Sequence, residues 1–291
     1  MELNGFSTTA DWLKSAKHSL EASAAVSDDP QEKRIALQVL LAHVLEKPRA
    51  WIIAHPEAGL TSAQEAQLDD LLARLAEGEP LPYLLGHWEF FGLSFAVSPA
   101  TLIPRPETEL LVEQAIHWLR RHPNRRLAAD VGTGSGCIAV NIAKHIPDLR
   151  VLAGDRSLDA LRMARKNAQA HDTAGQIHFV QADLLSAAEG PFDLVCANLP
   201  YIPRAALTDL PVARYEPLSA LDGGADGLDL IRALAADSAR WLAKGGLLLL
   251  EMQFDQGEAV TAVLREHLPD AVIDIIPDLA GLPRLVRAER S

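Results

Sequence analysis

Asn198-Leu199-Pro200-Tyr201 follows directly on a mainly apolar run, Phe192-Asp193-Leu194-Val195-Cys196-Ala197, that reads as a buried strand. An Asn at a strand tip presents one acceptor oxygen and two donor hydrogens. A planar –NH2 group needs two acceptors, and Asn198 Oδ1 with the Leu199 backbone carbonyl supplies them. Pro200 biases residue 199 toward an extended conformation, which turns that carbonyl outward. Tyr201 adds a ring to stack on a flat substrate group. Such a corner suits a nitrogen whose lone pair is delocalised, as in a carboxamide or an aromatic amine. Holding both N–H bonds on fixed acceptors aims the lone pair at an electrophilic carbon, and orientation of this kind is worth about 7–11 kcal/mol of a barrier. Oxygen acceptors also stabilise the charge that develops on nitrogen. No general base is required, because the proton leaves only after the new bond forms. Taken alone, an Asn-x-Pro is more simply a polar turn; what stands upstream of it decides otherwise.

Upstream, Asp130-Val131-Gly132-Thr133-Gly134-Ser135-Gly136 closes one strand and opens a helix. Glycines there allow a tight turn and a close approach of ligand to the helix N-terminus. The dinucleotide spacing is G-x-G-x-x-G; here the third glycine comes one residue early and Cys137 fills the remaining slot. The spacing suits a nucleoside ligand without a pyrophosphate. Asp155 ends the next strand, where a carboxylate can accept both ribose hydroxyls. Asp183 is expected to end the third, followed by Leu184 at the height of an adenine ring. Three acids, Asp130, Asp155 and Asp183, thus fall at successive strand tips, where ligands of open α/β sheets bind. With the Asn198 corner alongside, the expected ligand is S-adenosylmethionine, whose sulfonium methyl is the electrophilic carbon, rather than NAD.

The elements that must hold these residues alternate from Arg126 onward. Strands are expected at 127–131, 150–154, 177–181, 192–197, 247–251, 271–276 and 284–288, and helices at 137–146, 157–171, 226–244 and 256–267. This pattern predicts an α/β fold with a doubly wound, mainly parallel, seven-stranded sheet. Its last two strands come without a helix between them, so one edge is an antiparallel hairpin. Residues 1–80 read as helices alone. One is opened by Asp29 and Pro30, one by a Ser62–Glu65 capping box and stopped at Gly78, and a third spans about 11–25. The organisation expected is a helical substrate-docking domain over 1–80, a hairpin linker over 81–106 and a catalytic domain over 107–291. Prolines and glycines in the linker break up any helix, while 87–91 and 93–97 pair about Gly92. A further helix runs from Pro106 to about Arg121.

Composition excludes several classes. Lys and Arg number 27 against 39 Asp and Glu, a net charge of −12 with no basic block, which disfavours direct binding to nucleic acid. The longest clean apolar run, 247–250, is far short of the ~20 residues a membrane span needs. Nothing at the N-terminus suggests export, so a cytoplasmic protein, expected to be monomeric, is the reading. The ten histidines and two cysteines show no metal-ligand spacing, so no metal is expected. Cys137 and Cys196 read as buried small hydrophobes. Trp12, Trp51, Trp118 and Trp241 read as packing. Arg105, a cation at a helix N-terminus, has the wrong sign for the dipole; it either pairs with Glu107 or Glu109 or contacts cofactor or substrate loop. Asp222-Gly223-Gly224 reads as a turn before a helix capped by Asp226, or as a loop folding over substrate.

Asn-Leu-Pro-Tyr is similar to the Asn-Pro-Pro-Tyr signature of amino-group methyltransferases. The stretch Phe95-Ala96-Val97-Ser98-Pro99-Ala100-Thr101-Leu102-Ile103-Pro104-Arg105-Pro106-Glu107-Thr108-Glu109 resembles the linker of the release-factor glutamine N5-methyltransferases, the HemK/PrmC family. Tyr215-Glu216-Pro217-Leu218-Ser219-Ala220-Leu221 and Gly223-Gly224-Ala225-Asp226-Gly227 are similar to that family's later loop. The resemblance covers essentially the whole chain. It implies a class I S-adenosylmethionine-dependent methyltransferase that methylates the glutamine of the Gly-Gly-Gln loop of peptide-chain release factors. It also implies cofactor contacts from Gly132, Thr133, Gly134, Ser135, Gly136, Asp155, Asp183, Leu184 and Asn198, with Asn198, Leu199, Pro200 and Tyr201 holding the glutamine and Arg105 on the substrate side. Leu199 departs from the family's proline: ψ at 199 is still restrained, but φ is not locked, which predicts a slower or looser enzyme with the same reaction. The competing readings are methylation of a ribosomal-protein glutamine, a nucleic-acid (adenine N6 or guanine N2) methyltransferase, and a cofactor-binding module without catalysis.

Overall fold

The computed structural model describes residues 8–21 and 29–291, and the chain divides after Gly86 into two units. The first holds α1 (Thr9–Glu21), α2 (Pro30–Leu45), α3 (Arg49–Ala54), α4 (Ser62–Ala76) and α5 (Leu81–Leu85). Asp29 caps α2 by accepting the Gln31 N–H, with Pro30 at the first position. The capping box of α4 lies one residue earlier than expected. Thr61 is the extended cap residue and exchanges hydrogen bonds with Gln64, so Ser62 is already helical. Leu37, Leu40, Leu41, Leu68, Leu71 and Leu75 meet Trp12, Ala16 and Leu20 in one apolar cluster. The helix expected over 11–25 starts at Thr9, and its expected last turn lies outside the described residues. Helix α3, only six residues long, is too short to show a period and was not expected. The prolines after Glu79 do not abolish helix either. Pro82 sits in the first turn of α5, where its missing N–H has no intrahelical partner to lose, and Gly86 ends that turn at φ 72°.

The second unit opens with a hairpin, β1 (His87–Phe90) and β2 (Leu93–Ala96). Phe91 and Gly92, with φ of 50° and 72°, form the two-residue loop that suits strand twist. Helix α6 (Thr108–Arg121) follows. The alternation is then β3 (Leu127–Val131), α7 (Cys137–His145), β4 (Arg150–Asp155), α8 (Leu158–Ala170), β5 (Ile177–Gln181) and β6 (Phe192–Ala197). Beyond these come α9 (Asp229–Ala236), α10 (Ser238–Trp241), β7 (Leu242–Glu251), α11 (Gly257–His267), β8 (Ala271–Pro277) and β9 (Pro283–Arg290). The seven strands run β5-β4-β3-β6-β7-β9-β8. The first five are parallel, and β9 pairs antiparallel with both β7 and β8, the expected hairpin edge. One face of the sheet is covered by α6 and α7 with the hairpin phenylalanines Phe90 and Phe95. The other packs on α9 and α11.

The helix expected over 226–244 is two helices and the start of a strand. Leu242 pairs with Phe192 as the first residue of β7, and Trp241 closes the preceding turn with its Nε1–H donated to Leu234 O. Apolar spacing continues through this break, so periodicity alone hides it. Asp226 does not cap α9; it accepts the Leu228 N–H and pairs with Arg232.

Candidate active site

Strand order reverses between β3 and β6, and a ligand cleft opens at such a switch point. Register there pairs Val131 with Ala197, so the next residues, Gly132 and Asn198, leave adjacent tips. The glycine loop is tied down from both sides. The Gly132 and Thr133 N–H groups both donate to Gly154 O, and the Gly134 N–H donates to Asp155 Oδ2. Gly132, Gly134 and Gly136 all have positive φ. Gly136 is glycine for a further reason: a Cβ on it would lie 3.0 Å from the Ala164 Cβ.

Asp130 is no ligand-facing acid. It is 1% exposed, and its Oδ2 accepts from Thr133 Oγ1 at 2.6 Å and from the Ala139 N–H at 3.1 Å. It braces the loop against the first turn of α7, and burial lifts its pKa to about 6. Asp155 is where the sequence placed it, at the end of β4, its Oδ1 accepting the Ser157 N–H. Each of its oxygens keeps a lone pair for a ribose hydroxyl. Asp183 lies two residues beyond the end of β5 rather than ending it, and is exposed beside Arg156. Leu184 follows in the left-handed region at φ 50°.

One cleft of about 990 Å3, counting its open mouth, is lined by Gly132, Thr133, Gly134, Ser135, Asp155, Asp183, Leu184, Asn198, Leu199, Pro200 and Arg105. Gly136 packs on α8 and is not among the lining residues, and Tyr201 lines the adjoining pocket with Arg105, Asn198 and Pro200. The donor set fits a nucleoside cofactor: a loop without side chains at its bends and a carboxylate at the next strand tip. Sequence reasoning assigned no cofactor role to the wall formed by Thr101, Leu102 and Pro104, which the linker stretch contributes. Asn167 supports that wall and the loop together, donating to both Ala96 O and Ser135 O.

At the corner, Asn198 Nδ2 donates to Thr108 Oγ1 at 3.0 Å, and the residue lines the cleft. Leu199 is 4% exposed, its side chain packed in the core and against the glycine loop. Burial raises the Tyr201 hydroxyl to about 12, so it stays neutral. The Gly223-Gly224 loop runs beside the corner. Ile202 and Arg204 N–H groups donate to Leu221 O and Gly224 O, and a Cβ on Gly223 would meet Pro200 O at 2.8 Å. Arg105 pairs with neither Glu107 nor Glu109. Glu109 is occupied by the Phe91 N–H, and the guanidinium reaches Glu216, whose other oxygen accepts the Ile103 N–H. This pair fastens the linker stretch to the loop after β6.

Thr108 and Glu251 were both missed. Glu251 ends β7, 2% exposed, and burial raises its pKa to about 7 against the nearby Thr108, Arg284 and Asn198, which lower it. A lone acid closing the apolar run Leu247–Leu250 was the available signal. Cys137 and Cys196 are buried and free; burial pushes the first thiol to about 12 and the second well up. Among the described residues no cluster of His, Cys, Asp or Glu could hold a metal, and no helix is long and apolar enough to cross a membrane.

A family model for the PrmC N-terminal domain matches residues 11–86, and one for the methyltransferase small domain matches residues 107–213. The release factor glutamine methyltransferase of Escherichia coli (strain K12) is 42% identical over 254 residues, 86% of this chain and 87% of the relative. That of Nitratidesulfovibrio vulgaris is 39% identical over 284 residues, 96% of this chain and 94% of the relative. The Koribacter versatilis protein of the same name is 38% identical over 278 residues, 94% and 97% of the two chains. Among solved structures, a T. thermophilus 16S rRNA N2 methyltransferase shares the fold at a TM-score of 0.51 and 18% identity, covering 70% of this chain and 50% of that one. At such identity across most of both chains, the chain belongs to the release factor glutamine methyltransferase family.

Proposed function

We propose that this chain transfers the methyl group of S-adenosylmethionine to the side-chain amide nitrogen, N5, of the glutamine in the Gly-Gly-Gln loop of peptide-chain release factors. The observation that carries the reading is the Asn198 amide, held by Thr108 at the switch point beside the glycine loop. S-adenosylmethionine, when bound, supplies an electrophilic sulfonium methyl. The loop residues Gly132–Ser135, with Asp155, Asp183 and Leu184, hold the nucleoside end. Asn198 Oδ1 and the Leu199 carbonyl accept the two amide hydrogens of the glutamine, and Pro200 limits rotation at 199. Tyr201, neutral, flanks the flat carboxamide. With both hydrogens engaged, the nitrogen lone pair faces the methyl, and the oxygen acceptors stabilise the charge that forms on nitrogen. The helical N-terminal unit serves as the docking module.

Purified protein incubated with labelled S-adenosylmethionine should label a release factor and leave the same factor with its loop Gln changed to Ala unlabelled. Label that persists on the changed factor, or that appears only on DNA or on a ribosomal protein, rejects the assignment. The net charge of −12 argues against the nucleic-acid arm.

A further inference from the structure

An amide at a strand tip can present either end to the cleft, and only one end accepts hydrogens from a substrate amide. What fixes that choice lies behind Asn198. Strands β6 and β7 pair Ala197 with Leu250, so Asn198 and Glu251 are neighbours at the next rung. Thr108, 2% exposed at the first position of α6, accepts the Asn198 Nδ2–H, and its own hydroxyl hydrogen then needs an acceptor. The Glu251 carboxylate lies close enough to the Thr108 hydroxyl and the Asn198 amide for each to favour its ionised form, and its Oε2 is buried with no hydrogen-bond partner. Such an unsatisfied oxygen is costly unless it does something.

We propose that Glu251 is a positioning residue: its carboxylate takes the Thr108 hydroxyl hydrogen, so that the Thr108 oxygen is left to accept from Asn198 Nδ2 and keeps Oδ1 turned to the glutamine. The assignment rests on the function proposed above for Asn198. Turning the amide over would break its hydrogen bond to Thr108 and set two donors against a substrate that itself donates. Protonation of Glu251 weakens the arrangement, because a neutral carboxyl becomes a donor that competes for the Thr108 oxygen. Other charged or titratable groups around Glu251 are Arg284 from β9, which favours the ionised form, Glu107 ahead of α6, which opposes it, the Tyr201 hydroxyl and the buried Cys137 thiol at the start of α7. Arg284 is itself paired with Asp278.

The test compares the parent with Glu251→Gln, Thr108→Val and Thr108→Ser. Expected for Glu251→Gln is a loss of about a hundredfold in kcat, with KM for the release factor and affinity for S-adenosylmethionine close to the parent's. The parent kcat should fall as pH drops through about 7, and that acid limb should vanish in Glu251→Gln. Thr108→Ser, which keeps the hydroxyl, should retain most activity where Thr108→Val does not. A second readout needs no substrate: in 15N-labelled protein the Asn198 side-chain amide hydrogens should exchange slowly, and faster in Glu251→Gln. Parent-like kcat, pH profile and amide exchange in Glu251→Gln would overturn the assignment. A parent that leaves release factors unmethylated would instead defeat the function proposed, with the amide exchange still deciding for or against Glu251.

Discussion

Replacing Glu251 with Gln should make the second unit more stable in alkali while slowing turnover. Burial raises the Glu251 carboxyl from 4.5 to about 7. The unfolded chain gives up that proton near 4.5 and the folded chain only near 7, so between these values the folded state holds the extra proton. Stability therefore falls as pH climbs through this window and levels off above it. The cost of keeping the carboxylate inside the fold is on the order of 3 kcal/mol at pH 8. A glutamine has the same shape and no proton to lose, so it escapes this cost. The difference in unfolding free energy, Gln minus Glu, should thus grow by that amount between about pH 4.5 and 8. Asp130, raised to about 6, acts with the same sign in both proteins and cancels in the difference. Because the chain has two units, the measurement should report on the second alone, and hydrogen exchange of the β7 amides Leu247–Leu250 does so. A difference that stays flat with pH, or that shrinks as pH rises, would refute the argument that this carboxylate is desolvated.

Gly136→Ala and Gly134→Ala should separate stability from ligand binding. The first forces φ +81° on alanine and sets its Cβ 3.0 Å from Ala164, costing about 2 kcal/mol or more in urea denaturation. The second, at φ +55° with only an ordinary contact to Gly132 O at 3.9 Å, should cost about 1–2 kcal/mol of stability and chiefly weaken S-adenosylmethionine binding in a titration. Arg105→Ala leaves Glu216, its side chain 1% exposed, without its cation. The loss, smaller than the roughly 3–5 kcal/mol of a fully buried pair because the guanidinium is 34% exposed, should show as faster proteolysis within 203–221 and a higher KM for the release factor. Leu199→Pro should raise kcat by locking φ while removing buried contacts worth about 1–3 kcal/mol of stability. A kcat at or below the parent's, with cofactor affinity intact, would defeat the preorganisation argument.

What is legible in this sequence is what neighbours in sequence decide. The glycine loop, Asp155 and the Asn198 corner are each set by a few consecutive residues at a strand end, and strand ends follow from apolar runs and glycines. The seven strands and the antiparallel edge follow the same way. Hidden from such a reading is what the sheet register creates. Thr108 looks like part of an acidic helix start; only the fold brings its hydroxyl to Asn198. Glu251 looks like the end of an apolar strand, and becomes a buried acid at the site only because Leu250 pairs with Ala197. Arg105 has two acids within four residues, yet its partner Glu216 is 111 positions away, since Glu109 is already held by the Phe91 amide. The Asp130 error has the same origin. A carboxylate at a strand tip faces ligand or loop according to where the tip bends, and here Gly132 bends toward Gly154, so Thr133 and the first turn of α7 close over the acid. Local pattern thus names the groups proposed to meet a ligand, while tertiary pairing selects the groups behind them. An amide can face a substrate one way only if the second set is in place, so the chemistry of the corner depends on the residues that the pattern does not reveal.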